Sequence, residues 1–192
     1  LEIDSSNNLW IGTQYGLVVY NNGLWTDLSD SVPNPVIRDV SVDANGAVWV
    51  ATNAGFCKYD SVWHYFSPPY PALSSQINCI AFDANNDPWF GTDNGLFSYK
   101  NSSFDLVLDT SSLSPFVNVK SITFAGDSVV VGTVNGGIGF VYNNSCSWLN
   151  VSPIGGIVDN SFNSLFLDTN NTLWCCSPYG GLQVMFSDGS WY

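Results

Sequence analysis

All eight tryptophans of this 192-residue chain fall on two positions of one repeating unit. Trp10, Trp49, Trp89 and Trp174 head the segments Trp10-Ile11-Gly12-Thr13, Trp49-Val50-Ala51-Thr52, Trp89-Phe90-Gly91-Thr92 and Trp174-Cys175-Cys176-Ser177. A fifth, weaker copy reads Val130-Val131-Gly132-Thr133. The other four tryptophans, Trp25, Trp63, Trp148 and Trp191, follow the closing Thr or Ser by 11 to 15 residues, and Phe104 fills that place in the third copy. From one closing residue to the next (13, 52, 92, 133, 177) the spacings are 39, 40, 41 and 44. Self-similarity at that period marks a solenoid or a propeller and constrains the fold before any local propensity does. Such scaffolds host unrelated activities, so the activity has to be sought in sites.

The second copy shows what one unit contains. Val36 to Asp43, Ala47 to Thr52, Phe56 to Tyr59 and Trp63 to Phe66 are short β-rich runs, separated by Ala44-Asn45-Gly46, Asn53-Ala54-Gly55 and Asp60-Ser61-Val62. Four such runs divided by Gly, Asn and Asp turns predict an antiparallel meander, strands A to D. Strand A carries apolar residues two apart in every copy: Leu1/Ile3, Val40/Val42, Ile80/Phe82, Ile122/Phe124 and Leu165/Leu167. The residues between are often small (Ser41, Ala81, Thr123), as crowded inner strands require. No stretch holds a helical period, so almost no helix is expected. A four-stranded sheet of this size cannot bury both faces alone, and stacking sheets around an axis does so. The tryptophans of strands B and D are therefore expected to pack between blades, with Gly12, Gly91 and Gly132 allowing close approach of the next sheet.

The string Asp-x-x-Asn-x-x-Trp-x-Gly/Ala-Thr, followed by Gly-apolar and an aromatic, resembles the two-component regulator propeller repeat. It runs from Asp4 to Thr13, with Gly16-Leu17 and Tyr20 following. Asp43 to Thr52 and Asp83 to Thr92 match closely, Asp168 to Ser177 loses Gly-Thr to Cys176-Ser177, and the fourth copy has a turn one residue shorter at Ala125-Gly126-Asp127. The resemblance implies a β-propeller of the kind found in periplasmic sensor domains of hybrid histidine kinases, often binding carbohydrate, and in secreted proteins. It carries no diagnostic site residues.

The predicted fold is all-β, a single propeller domain over residues 1–192 with five four-stranded antiparallel blades at about 1–29, 36–67, 77–108, 119–150 and 162–192. Leu1 aligns with Val40 and Tyr192 stops inside the last strand D, so both ends are expected to be cut. The alternative is a fragment of a six- to eight-bladed propeller.

Charged residues are only 10% of the chain, against about 25% in ordinary soluble proteins. The net charge of −12 argues against nucleic acid or an anionic membrane as partner. No apolar run is long enough for a membrane helix. Asparagine- and serine-rich turns with few lysines point to a secreted, cell-surface or periplasmic protein. Asn101, Asn143, Asn150 and Asn170 lie in N-x-Ser/Thr sequons, and Ser31, Ser61 and Ser128 in Asp-Ser-Val triplets resembling a bacterial O-glycosylation signal. The five cysteines, Cys57, Cys79, Cys146, Cys175 and Cys176, lack metal spacing. They fit buried free thiols or one disulfide, with at least one thiol left over.

Catalytic inventory is thin. His64 is the single histidine, on the outermost strand D, so no triad, zinc set or glycosidase pair is recognisable. Streptogramin lyases are propellers of related repeats whose chemistry looks to need a histidine on the ligand face, where His64 is not expected. Asp83-x-Asn85-x-Asp87 opens like a calcium loop but has Pro88 and Asn94 where glycine and glutamate belong. No cofactor or metal is expected.

The start of strand A and the B–C loops share one face around a propeller's funnel. Arg38, Lys120, Asn78 and Asn163 occupy one repeat position there, with Tyr15 and Tyr179 in the B–C loops. Amides, aromatics and two cations suit a sugar or peptide ligand. The leading expectation is a non-enzymatic extracellular binding or interaction module for carbohydrate or protein. A self-associating subunit of a surface assembly is the first alternative, and a propeller lyase or hydrolase the second.

Overall fold

The computed structural model describes residues 1–66, 76–109, 118–143, 145–150 and 157–192. These residues form a β-propeller of five antiparallel blades with one short 3-10 turn at Ser29–Ser31. The first sheet is β1 (Glu2–Ile3), β2 (Leu9–Gly12), β3 (Leu17–Asn21) and β4 (Leu24–Asp27). The second is β5 (Ile37–Val42), β6 (Val48–Thr52), β7 (Gly55–Tyr59) and β8 (Trp63–Phe66). The third is β9 (Ile77–Phe82), β10 (Pro88–Thr92), β11 (Gly95–Lys100) and β12 (Ser103–Asp109). The fourth is β13 (Val119–Ala125), β14 (Ser128–Thr133), β15 (Ile138–Tyr142) and β16 (Ser145–Leu149). The fifth holds β17 (Ser164–Leu167), β18 (Leu173–Ser177) and β19 (Gly181–Met185), with the antiparallel bridge Met185↔Trp191 where a fourth strand would lie. Strands follow chain order across every sheet. Contacts gather into two compact units, Leu1–Asp93 and Asn94–Tyr192.

The repeat's aspartate and tryptophan prove to be one device. Asp43 Oδ1 accepts the Asn45 and Ala47 amide N–H groups, both at 2.9 Å, and its Oδ2 accepts the Trp49 indole N–H at 3.0 Å. Asp4, Asp83 and Asp168 repeat the pattern, with indole bonds from Trp10, Trp89 and Trp174 at 2.9, 3.3 and 3.1 Å. An Asx turn satisfies local backbone donors; here the second carboxylate oxygen also pins the ring that opens strand B. The turn closes through an N–H three residues on, from Asn7, Gly46, Asn86 or Asn171, all at positive φ, where asparagine and glycine are best tolerated. In the fourth copy Val130 replaces the tryptophan and Ala125 the aspartate, so both halves of the device are missing together.

Within each unit, neighbouring sheets meet through their first and second strands. In the first unit Trp10, Leu17, Ile37, Val40, Val48, Val50 and Cys57 form one buried cluster. In the second, Val130, Ile138, Ile157, Phe162, Leu165, Leu173 and Cys175 form another. Each such side chain fully buried is worth about 1.5–3 kcal/mol. A Cβ on Gly12 would lie 2.4 Å from Ile37 Cγ2, and one on Gly132 3.1 Å from both Phe162 Cβ and Leu165 Cγ, so glycine does permit the close approach there. Hydrogen bonds tie sheet to sheet as well. Asp39 Oδ2 accepts the Ile80 N–H at 2.8 Å, Ser41 Oγ donates to the Ile80 carbonyl at 3.0 Å, and Ser121 Oγ accepts the Leu165 N–H at 2.9 Å.

The tryptophans are not uniformly interior. Trp10 and Trp49 are each 4% exposed, but Trp174 is 37% and Trp25 65% exposed. Trp25 stands on an outer strand and rests on Tyr20 at 4.7 Å, and Trp174 faces away from the fourth sheet. Leu1 and Ile3 are likewise exposed, unlike Val40, Ile80, Ile122 and Leu165. All five cysteines are free thiols. Cys57, Cys79 and Cys175 are buried, and desolvation pushes Cys57 and Cys175 up to about 12. Cys176 occupies the repeat's glycine place and is exposed, against the expectation of burial.

These carboxylate bonds should show in acid. Burial alone would raise Asp4, but bonds from Trp10, Asn8 and Ser6 outweigh it and hold it low. At Asp168 the Trp174 indole is the main cause of the lowering, followed by the Thr172 amide. Asp27, Asp60, Asp159 and Asp188 are lowered too, whereas desolvation raises Glu2 and Asp39. A lowered carboxylate contributes stability that is fully present above its unfolded value near 4 and lost as pH falls through its folded value; a raised one acts in the opposite sense. Six lowered groups against two raised ones predict a melting temperature that falls below about pH 4. Carboxyl NMR titration isolates the cause: Trp174→Phe should move Asp168 upward, and an unchanged Asp168 would show that the indole bond contributes nothing.

Candidate functional site

Strand A of one repeat starts beside the B–C turn of the repeat before it. The Ile37 N–H donates to the Thr13 carbonyl at 2.8 Å, and the Phe162 N–H to the Thr133 carbonyl at 2.9 Å. The turns are built by their own threonines: Thr13 Oγ1 donates to the Gly16 carbonyl at 3.0 Å and accepts the Tyr15 N–H at 3.0 Å. Ser177 accepts the Tyr179 and Gly180 amides in the same way, at 3.3 and 2.7 Å. This geometry leaves the tyrosine rings outside, Tyr15 being 86% and Tyr179 90% exposed.

In the first unit the structure brings Arg38 and Asn78 together through a residue the sequence reading passed over. The Arg38 guanidinium donates from Nε to Asn53 Oδ1 at 2.7 Å and from Nη2 to Gln76 Oε1 at 3.1 Å, and Gln76 Nε2 donates to Asn78 Oδ1 at 2.5 Å. Asn78 is buried and Arg38 exposed, so one end of the network is anchored and the other faces solvent. Gln76 escaped notice because it precedes strand A and breaks the apolar pattern rather than following it. The second unit holds a different arrangement. Asn163 is exposed, with its N–H on the Cys176 carbonyl at 2.9 Å, and Lys120 is half-buried. Asp159, also overlooked, accepts the Ser177 hydroxyl and the Ser161 N–H, and Ser161 Oγ donates to Asn135 Oδ1 at 3.1 Å. Burial would raise Asp159, but these hydrogen bonds hold it low and ionised. The sequence signal was Asp159-x-Ser161 just ahead of a strand, an Asx turn.

Two clefts among the described residues include none of the six candidates. A cleft of about 280 Å³ lies between the A–B turns of the first two sheets, lined by Asp4, Asn8, Trp10, Asn45, Tyr59 and Asp60 among others. Another of about 520 Å³ in the second unit is more apolar, with Val130, Phe140, Leu167, Leu173, Met185 and Phe186. Among the described residues no three His, Cys, Asp or Glu side chains are grouped to hold a metal ion. Asp83, head of the calcium-like string, is occupied by the Asn85 and Asp87 amides and the Trp89 indole. His64 is exposed on β8, where its Nε2 meets Asp60 Oδ1 at 2.8 Å, with Lys58 Nζ 3.4 Å from the other carboxylate oxygen. That surface ion pair lowers Asp60, chiefly through the His64 hydrogen bond. Asn101, Asn143, Asn150 and Asn170 are all exposed, as is Ser61, while Ser31 and Ser128 are half-buried.

No family model matches the chain, and no curated protein matches it. Solved structures do. The extracellular domain of BT4673 from B. thetaiotaomicron, a protein assigned to one- or two-component systems, superposes with a TM-score of 0.82 at 20% identity over 95% of this chain. The extracellular domain of BT3049, assigned to a hybrid two-component system of that organism, gives 0.76 at 18% identity over 94%. The likeness is one of fold. A catalytically inactive histidine-to-alanine form of virginiamycin B lyase from Staphylococcus aureus, solved with quinupristin, gives 0.80 at 14% identity over 100% of this chain and 67% of its own. The chain spans only about a quarter of the two extracellular domains, 26% and 25%. No helix among the described residues is long and apolar enough to cross a membrane.

Proposed function

We propose that this chain is a non-enzymatic extracellular binding module whose ligand, a carbohydrate or a peptide, docks on the face where the A strands begin. One observation carries the reading: the Arg38 guanidinium is held between Asn53 and Gln76, with Gln76 anchored on buried Asn78. A guanidinium and amides fixed in place lose little freedom on binding, and they are the groups that recognise sugar hydroxyls and peptide carbonyls. Exposed Tyr15 supplies an apolar ring for stacking on the same end of the first unit, as Tyr179 does in the second. Secreted, cell-surface or periplasmic placement fits the extracellular domains that share the fold. The lyase alternative is the weaker reading, since His64 is solvent-exposed on a fourth strand, with its Nε2 against Asp60.

A glycan and peptide array screen of the intact protein tests this. Arg38→Ala is expected to weaken the binding found by about 2 kcal/mol, roughly 30-fold, as loss of an interface anchor does. Folding should be untouched, because an exposed substitution away from packing moves stability by about 0.5 kcal/mol or less. Binding that survives in both Arg38→Ala and Tyr15→Ala would move the site elsewhere, and turnover abolished by His64→Ala would make the protein an enzyme.

A further inference from the structure

The two clefts, one in each unit, occupy the same place in the repeat. Each lies between the A–B turn of one repeat and the C–D turn of the next. Their linings correspond by register and repeat position: Trp10 with Val130, Asp4 with Ala125, Val48 with Leu173, Tyr59 with Met185 and Asp60 with Phe186. In the first unit the Trp10 indole donates to Asp4 Oδ2 at 2.9 Å, and its ring lies 5.7 Å from Tyr59 of the next sheet. In the second unit both the ring and its acceptor are missing, and the cleft measures about 520 Å³ against 280 Å³. Val130 and Leu173, each 1% exposed, form its floor. Half-buried Phe140, Leu167 and Met185 form the walls, and Phe186, 44% exposed, stands at the rim. Trp191 packs on this cluster as Trp63 does on the first, so the outer tryptophans do not account for the difference. No charged side chain lines this cleft, although the chain carries a net charge of −12.

We propose that the second-unit cleft is a binding site for a flat, uncharged aromatic ring system of about indole size, seated where other repeats carry their own tryptophan ring. The occupant follows from the repeat: the fourth copy has lost an indole and its carboxylate partner, and the space between the sheets has not closed. An apolar cavity of about 150 Å³ lined by Leu, Ile and Phe already takes up benzene, so the room suffices. Phe140 and Phe186 offer ring faces and edges, and Met185 a polarizable thioether that adapts to an aromatic neighbour. Asn171 in the lining carries an amide oxygen able to accept a ring N–H. A charged ligand is disfavoured, because nothing in the lining would offset the loss of its hydration. None of these residues belongs to the Arg38 network, so this site and the carbohydrate or peptide site can each fail alone.

NMR titration of the intact, isotope-labelled chain with indole provides the test. Saturable shifts are expected around Val130, Phe140, Leu173 and Met185, with a Kd of about 0.1–1 mM, as suits so small a fragment. Trp10 and Tyr59 in the first-unit cleft should not respond. Val130→Trp combined with Ala125→Asp puts back the ring and its acceptor, and should weaken indole binding by about tenfold or more. Phe186→Asp gives the rim the carboxylate that Asp60 gives the first-unit cleft, and should weaken binding by about tenfold. Phe186 is exposed, so that variant should melt with the parent, and it decides the matter if the buried double variant fails to fold. N-acetyltryptophanamide, titrated in parallel, separates two sources of the ring. Shifts with both compounds assign the site to any presented indole, a peptide's tryptophan included; shifts with indole alone assign it to a free small molecule. Shifts that do not saturate, shifts centred elsewhere, or unchanged affinity in folded Phe186→Asp overturn the proposal.

Discussion

In urea, Trp49→Ala is expected to unfold with a free energy about 3–5 kcal/mol below that of the parent, a large share of the 5–15 kcal/mol a domain commonly has. Trp49 is 4% exposed and is the hub of an aromatic group. Its ring lies 5.8 and 5.9 Å from Phe56 and Phe66 of its own sheet, and 5.9 and 6.2 Å from Phe82 and Phe90 of the next. Lys58 Nζ stands 5.4 Å from the ring centroid. Truncation opens a cavity across a sheet-to-sheet contact that neighbours cannot collapse to fill, because the flanking strands are locked in register. Trp174 holds the same repeat place but is 37% exposed. Trp174→Ala should therefore cost about 1 kcal/mol or less. Equal losses at the two positions would contradict the placement of Trp49 between sheets.

That contrast marks where a sequence stops being readable. Period, turn residues and strand alternation are local properties, and from them the five-bladed propeller was legible. Burial of a particular tryptophan depends on whether another sheet lies over it, and identical local sequence gives no sign of that; hence Trp25, Trp174, Leu1 and Ile3 depart from expectation. The aspartates were legible as turn residues, but their bonds to the indoles were not, since a six-residue offset becomes a contact only once the hairpin folds. At the candidate site the repeat register marked Arg38 and Asn78. It missed Gln76, which joins them, and Asp159, because irregular loop residues follow no period.

The second large effect concerns that carboxylate–indole pair. Asp43→Asn is nearly isosteric, yet it is expected to cost about 1–3 kcal/mol, the penalty for a buried polar group left without a partner. Asp43 is 7% exposed and satisfies three donors: the Asn45 and Ala47 amides on Oδ1 and the Trp49 indole on Oδ2. An asparagine oxygen can keep the two backbone bonds, but its NH₂ group then faces the indole N–H, donor against donor. Turning the amide over merely moves the conflict to the backbone. Trp49→Phe alone removes the indole donor while keeping most of the ring, and leaves one carboxylate oxygen short of a partner. Combined, the two changes delete both halves of the interaction, so the double variant should lose less than the sum of the singles by about 1 kcal/mol or more. The fourth repeat already lives with such a double deletion, having Ala125 and Val130 in those places. Urea denaturation of the four proteins in the cycle measures the coupling directly. Strict additivity would mean that Asp43 and Trp49 stabilise the blade independently, and that the bond joining them contributes nothing.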